Sequence, residues 1–450
     1  MINRACFLLA ISLIPLALWS QEDITATRIT SSGSDDSRML VPPPVSTEAY
    51  PIEVGSESRS NYMLAGLTFN TAYSDNVLGG ISAHGPSDVS YSIWPSIALD
   101  ETTPRLHSIF TYDPGFTFYQ RVSARNEADQ NLGLELSYRL SPHVTLDLGD
   151  SFHKSSNILN QPDLLSANPV SGSPQVSAVS LIPPIADQMS NWGNVELTYQ
   201  FALNSMVGAT GRFTNVLYPD PAQVPGIYDS SSKGGSAFYS HRFSAKYYMG
   251  LIYQYEDLLA YPPGLLAQTQ THSALLFYTV YFKPTFSLSF FGGPQYSDTQ
   301  ESVLPTNHSL SPAAGASLGW QGQHTNFALS YSRMIAPGNG LIGAANEDAA
   351  NTSIRRQLTR TLSIGAYASY TNNKLLDPLL SATVVNFSTG GHTIAGTASL
   401  DRQLHERFDL NLGYTRIRQS YGGFTGIPVA PNINREWVSI SYKFSRPLGR

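Results

Sequence analysis

Six charged side chains of this 450-residue chain fall where they could act on a solute: Glu135, Arg139, Asp147, Glu196, Arg212 and Asp409. Each alternates with apolar neighbours, so each belongs to the polar face of a two-residue repeat. Acids and bases gathered on one wall of a conduit set up a transverse field that orients polar solutes at a constriction. The alternative is cross-strand pairing that only satisfies the charges. Other chemistry has no footing. There is no Walker loop, no His-Glu-x-x-His pair and no dinucleotide fingerprint after a strand, so no catalytic residue, metal site or cofactor is expected and the chain reads as a non-enzyme. The 10 histidines are dispersed; His107, His143, His241, His324 and His405 stand near tight turns or strand starts, as solvated rim residues do.

The elements that must position these residues are β-strands. Leu132, Leu134, Leu136, Tyr138 and Leu140 alternate with Gly133, Glu135, Ser137 and Arg139, while Phe408, Leu410, Leu412 and Tyr414 alternate with Asp409, Asn411, Gly413 and Thr415. A helix would need apolar spacings of three and four. The unit recurs from Tyr62 onward and predicts an all-β fold: a closed antiparallel transmembrane β-barrel of about 18 strands over 61–446. Tight connections (Ser141-Pro142, Asn204, Lys283-Pro284, Leu404-His405) alternate with long ones at 75–86, 155–189, 218–233, 257–270, 373–391 and between strands at 284–297 and 313–321. Turns at one rim and loops at the other are the plan of an outer-membrane barrel, with the turns in the periplasm.

The same parity points the six charges into the lumen, the first five from four consecutive strands. The remaining inward residues are mostly Ser, Thr, Asn, Gln, Gly and Tyr, a lining suited to neutral or weakly charged sugars. The aromatics Phe110, Tyr112, Phe116, Phe118, Tyr253, Tyr255 and Tyr442 belong to interface girdles or the lipid face. Pro95 and Pro114 fall inside strands and each removes a ladder donor, so a bulge, local unpairing or a shifted boundary is expected there. Apolar residues recur through 155–189 (Leu164, Leu165, Val176, Val179, Leu181, Ile182, Ile185), which predicts a loop folded into the barrel or packed over its mouth.

Composition agrees. Charged residues make up 13% of the chain, about half the roughly 25% usual in soluble domains. Mean hydropathy is only -0.14, and past the N-terminus no apolar run is long enough for a membrane helix. The net charge of -6 leaves no basic footprint for nucleic acid. Residues 1–20 read as a signal peptide: Arg4, an apolar stretch from Phe7 to Leu18 that follows the lone cysteine Cys6, and a small Ser20 before the cut. Residues 21–60, rich in Ser, Thr, Asp and Pro, read as a disordered periplasmic lead-in. Together these place the chain in the outer membrane of a Gram-negative-type bacterium, with outer-membrane lipid around it. The last strand, Val438, Ile440, Tyr442 and Phe444 at alternate positions, resembles the C-terminal signal read by the barrel-insertion machinery, which the resemblance makes an expected partner.

The first strand and its exit, from Ala65 to Tyr73-Ser74-Asp75-Asn76-Val77, are similar to the opening of the β-barrel porin 2 family. The resemblance implies an outer-membrane pore or scaffold in exopolysaccharide export, with polysaccharide as a partner. Asp75 and Asn76 also favour turns in their own right. Three functions follow from these readings: a porin-like channel for small polar solutes or glycans, a non-conducting structural barrel that anchors an envelope complex, and an outer-membrane enzyme. The absence of catalytic motifs weighs against the third.

Overall fold

A computed structural model of the chain describes residues 61–78, 85–157, 186–220, 227–262, 266–283, 285–301, 304–337, 343–376, 390–422 and 432–448. The signal peptide, the lead-in and 158–185 of the longest loop lie outside the described residues. The strands are β1 (Tyr62–Ser74), β2 (Asp88–Thr102), β3 (Leu106–Tyr112), β4 (Gly115–Tyr119), β5 (Glu127–Ser141), β6 (Val144–Ser155), β7 (Gln188–Ala202), β8 (Ser205–Leu217), β9 (Asp229–Ser244) and β10 (Tyr247–Tyr261). They continue as β11 (Ala267–Lys283), β12 (Phe286–Glu301), β13 (Leu304–Gln321), β14 (Thr325–Ala336), β15 (Ala345–Thr359), β16 (Leu362–Leu375), β17 (Gly390–His405), β18 (Phe408–Gly422) and β19 (Asn432–Pro447). All form one antiparallel sheet in which β1 pairs with both β2 and β19. Closure leaves no strand edge, as a sheet surrounded by hydrocarbon requires.

Nineteen strands make 18 crossings, because β3 and β4 are one crossing interrupted at Asp113-Pro114. Their register against β5 is unbroken: Tyr112 pairs with Leu132 and Gly115 with Asp129, and the Asp113 amide donates to the Asn131 carbonyl at 2.9 Å across the gap. Against β2, Ile97 pairs with Tyr112 and Ile93 with Phe116, so Pro95 stands opposite the interruption. Two prolines that cannot donate thus face each other, and the ladder is lost once instead of twice. Pro95 itself stays in register with Leu67 of β1.

Six of the turn-side connections, such as Leu203-Asn204 and Glu406-Arg407, are two residues long. The loop side departs from the sequence expectation. β12 runs to Glu301 and β13 starts at Leu304, so the long connection expected there is strand; likewise β9 begins at Asp229 and takes in Ser232. Beyond the membrane both faces of a strand meet water. Apolar–polar alternation therefore fades while the backbone ladder continues.

The outer face is apolar and exposed, with Leu134, Val195, Leu251 and Leu276 at mid-height. Aromatic girdles bound it: Tyr73, Tyr91, Tyr296, Tyr331, Tyr370 and Tyr414 towards the loops, and Tyr199, Phe243, Phe282, Trp320, Phe408 and Phe444 towards the turns. Inside, large rings lie flat over glycines on the neighbouring strand. A Cβ at Gly115 would stand 2.4 Å from the Trp94 indole, and Gly250, Gly315 and Gly413 accept Phe277, Phe291 and Trp437 in the same way.

Candidate lumen site

Alternation fixes which face each charge takes. Leu134, Leu148, Val195, Leu197, Phe213 and Phe408 are exposed on the outer wall. Their neighbours Glu135, Asp147, Glu196, Arg212 and Asp409 therefore point inward, and so does Arg139 between exposed Tyr138 and Leu140. A lone Arg on the lipid face near the midplane would cost roughly 2–4 kcal/mol.

The structure brings some of these together in ways parity cannot show. Asp147 and Glu196 are direct register partners on β6 and β7, which leaves their Cβ atoms about 5 Å apart. Neither has an ion pair among the described residues. Arg212 meets none of the acids singled out from the sequence. It reaches Glu256 of β10, Nη2 to Oε2 at 3.1 Å, over the intervening β9. Gly234 occupies the same row on β9, in register with both Arg212 and Glu256, and its bare backbone gives the guanidinium room to cross. Glu135 sits in register with Gly149 and stays solvent-exposed although it points inward, so water reaches the inner wall at that height. Arg139, paired in register with Thr145, forms no ion pair among the described residues.

Asp409 lies far round the wall and joins a second ionic strip. Lys443 Nζ is 2.7 Å from its Oδ2, Asp401 of β17 is in register with Ser363 and Asn411 on the strands either side, and Arg355 donates to the Ser363 hydroxyl at 3.1 Å. Glu256, Lys443, Asp401 and Arg355 were not singled out from the sequence. Their inward parity was available there; their partners were not.

One part of the inner wall differs from the hydroxyl-rich lining expected. Met206, Phe238, Tyr248, Ile252, Leu275, Phe277, Ala313 and Met334 form a buried apolar block across β8–β14, against which Tyr281 and Phe291 pack. Towards the loops the block is continued by Tyr228, Ala260 and Ala267 with Leu375, and by Leu258, Ile335 and Leu376, which bring β10, β14 and the end of β16 together. The expected lining does hold on β16–β18, where Thr393 donates to Gln419 at 2.8 Å and the Thr397 and Thr415 hydroxyls are 3.2 Å apart.

The Tyr73-Asp75-Asn76 motif sits at the barrel seam. Tyr73 faces outward. The Asp75 carboxylate accepts from the backbone amide of Asn434 at 2.7 Å and from its side-chain amide, while buried Asn76 donates to the Asn432 carbonyl at 3.5 Å. The motif thus fastens the exit of β1 to the entry of β19. On β19, Val438, Ile440 and Phe444 are exposed on the outer wall, and Tyr442 packs its ring 5.1 Å from Phe408. Among the described residues no group of His, Cys, Asp or Glu could hold a metal ion.

No protein-family model matches the chain, and no curated protein sequence matches it. Similar solved structures include the FrpB iron transporter from Neisseria meningitidis, at 9% identity over 86% of this chain and 69% of that one, with a TM-score of 0.45. Pseudomonas aeruginosa OpdK with vanillate is 9% identical over 85% of this chain and 99% of that one, TM-score 0.42. Acinetobacter baumannii OccAB4 is 11% identical over 86% and 99%, TM-score 0.41. Likeness at this level says nothing of cargo.

Proposed function

We propose that this chain is a passive, cation-preferring channel of the outer membrane for small polar solutes. The observation that carries this is the Asp147–Glu196 pair. Like charges directly opposite on a sheet are destabilising, and two carboxylates side by side are tolerated where water and mobile cations reach them. Arg212 is drawn away to Glu256 and Lys443 to Asp409, and Arg139, diagonal to Asp147 on β5, makes no ion pair with it, so among the described residues no base is paired with either carboxylate. The outward apolar belt between two aromatic girdles supports residence in a bilayer, and full closure supports a barrel membrane.

The hydroxyl-rich face of β16–β18 supports weakly charged or neutral sugars as cargo. A role in exopolysaccharide traffic, which the resemblance of the β1 exit to the porin family implies, is the finer form of this proposal.

Recording from refolded protein in planar bilayers tests it. Stepwise conductance is expected, with a reversal potential under a salt gradient that shows cation preference. Asp147→Asn with Glu196→Gln should move that potential towards zero while heat-modifiable gel mobility is kept. Silence at high protein load would instead support a non-conducting scaffold, and an unmoved potential would remove the pair from the path.

A further inference from the structure

Above the loop-side tyrosines, outward-pointing charges stand at the level of lipid headgroups. Along β9–β15 of this rim Lys233 lies 3.5 Å from Asp257, the His308 ring 3.4 Å from Asp298, and Arg333 3.9 Å from Asp348. The wall made by β16–β18 differs. Lys374, Arg416 and Arg418 point outward, in phase with exposed Tyr370 and Tyr414, and form no ion pair among the described residues. The strand registers put Arg416 in a row with Gly396 and Ala368, and Arg418 in the next outward row with Ile394 and Tyr370; Lys374, in register with Gly390, stands two outward rows farther towards the loops, past His392. The nearest outward acids, Glu436 and Asp75, are placed otherwise: Glu436 stands one row lower, opposite Tyr414, and Asp75 is held by Asn434. The connections 377–389 and 423–431 contribute a single acid, Asp377.

Three uncompensated cations on a lipid-facing wall have one complementary anion at that height, the headgroup phosphate. Gly396 gives Arg416 space to lie along the wall. Ala368 in the same row, and Ala366 and Ala398 one row beneath, keep the surface low.

We infer that Lys374, Arg416 and Arg418 form a binding site for the phosphorylated headgroup of an outer-leaflet lipid. The inference rests on the outer-membrane placement proposed above and is independent of conduction.

The test uses the full barrel refolded in zwitterionic detergent and titrated with lipid A carrying both phosphates, read by native mass spectrometry. Phosphatase-treated lipid A serves as the comparison lipid. Each cation near an anionic headgroup contributes about fivefold in affinity, so Lys374→Gln/Arg416→Gln/Arg418→Gln should bind about a hundredfold more weakly. Lys233→Gln, whose ammonium is already tied to Asp257, should bind like the native barrel. Inorganic phosphate at the same concentration should not displace the lipid. Equal binding by the native and triple-variant barrels overturns the inference, as does equal binding of both lipids by the native barrel or displacement by inorganic phosphate. If the triple variant lacks the heat-modifiable shift, Arg418→Gln alone should lose about fivefold. Conductance of the variants, measured alongside, separates a failure of this site from a failure of the channel reading.

Discussion

The inner faces of β5–β7 and of β8–β14 are neighbours on one wall, built by the same alternation, and they hold opposite chemistry. β5–β7 present Glu135, Arg139, Asp147 and Glu196, all reached by solvent. The next strands present Leu275 at 0% exposure and Phe277 at 2%, packed among Phe238, Ile252 and Met334. The apolar side gains stability from close packing and covers itself. The acidic side gives up stability to keep like charges adjacent, as the proposed channel would use them. One stretch of wall is therefore support, and the other is the candidate path.

Truncation should expose that division most sharply. Phe277→Ala opens a cavity over Gly250 and is expected to cost about 3–5 kcal/mol, read as a lower urea midpoint for the barrel in lipid. Glu135→Ala should stay within about 0.5 kcal/mol. Comparable losses at both positions would erase the contrast.

A smaller effect is expected where the two regions meet. Glu256→Gln leaves Arg212 without its carboxylate and should cost about 1–3 kcal/mol. The freed guanidinium then faces the acids, so cation preference should fall; Glu256→Gln with Arg212→Met should recover most of that preference. Unchanged selectivity in the single variant would show that Arg212 stands clear of the path. The smallest effect belongs to the far strip. Lys443 is 69% exposed, so Asp409→Asn should change stability by less than about 1 kcal/mol and alter conductance chiefly at low salt.

The alternation of Leu132 to Leu140 and of Phe408 to Thr415 was enough to read those strands and their faces, and its recurrence between tight and long connections from Tyr62 onward gave the number of crossings. A slip of one residue would send Glu135 or Asp409 into lipid, so the sequence had little freedom. Pro114 announced a break, though not that Pro95 would stand opposite it. The loop-side ends of β9, β12 and β13 were missed because the pattern weakens once both faces are wet. The inward aromatics escaped notice because a ring lying over a glycine depends on the strand next door.

By itself, then, the sequence determined which way each side chain points, since a strand's period of two needs no knowledge of its neighbours. Only the tertiary structure decided which inward residues meet. Arg212 reaches Glu256 because Gly234 occupies the row between them, and Asp75 holds Asn434, 359 residues away, because the barrel closes β1 on β19. Those contacts depend on register between strands, which backbone hydrogen bonds set between partners that no local pattern names.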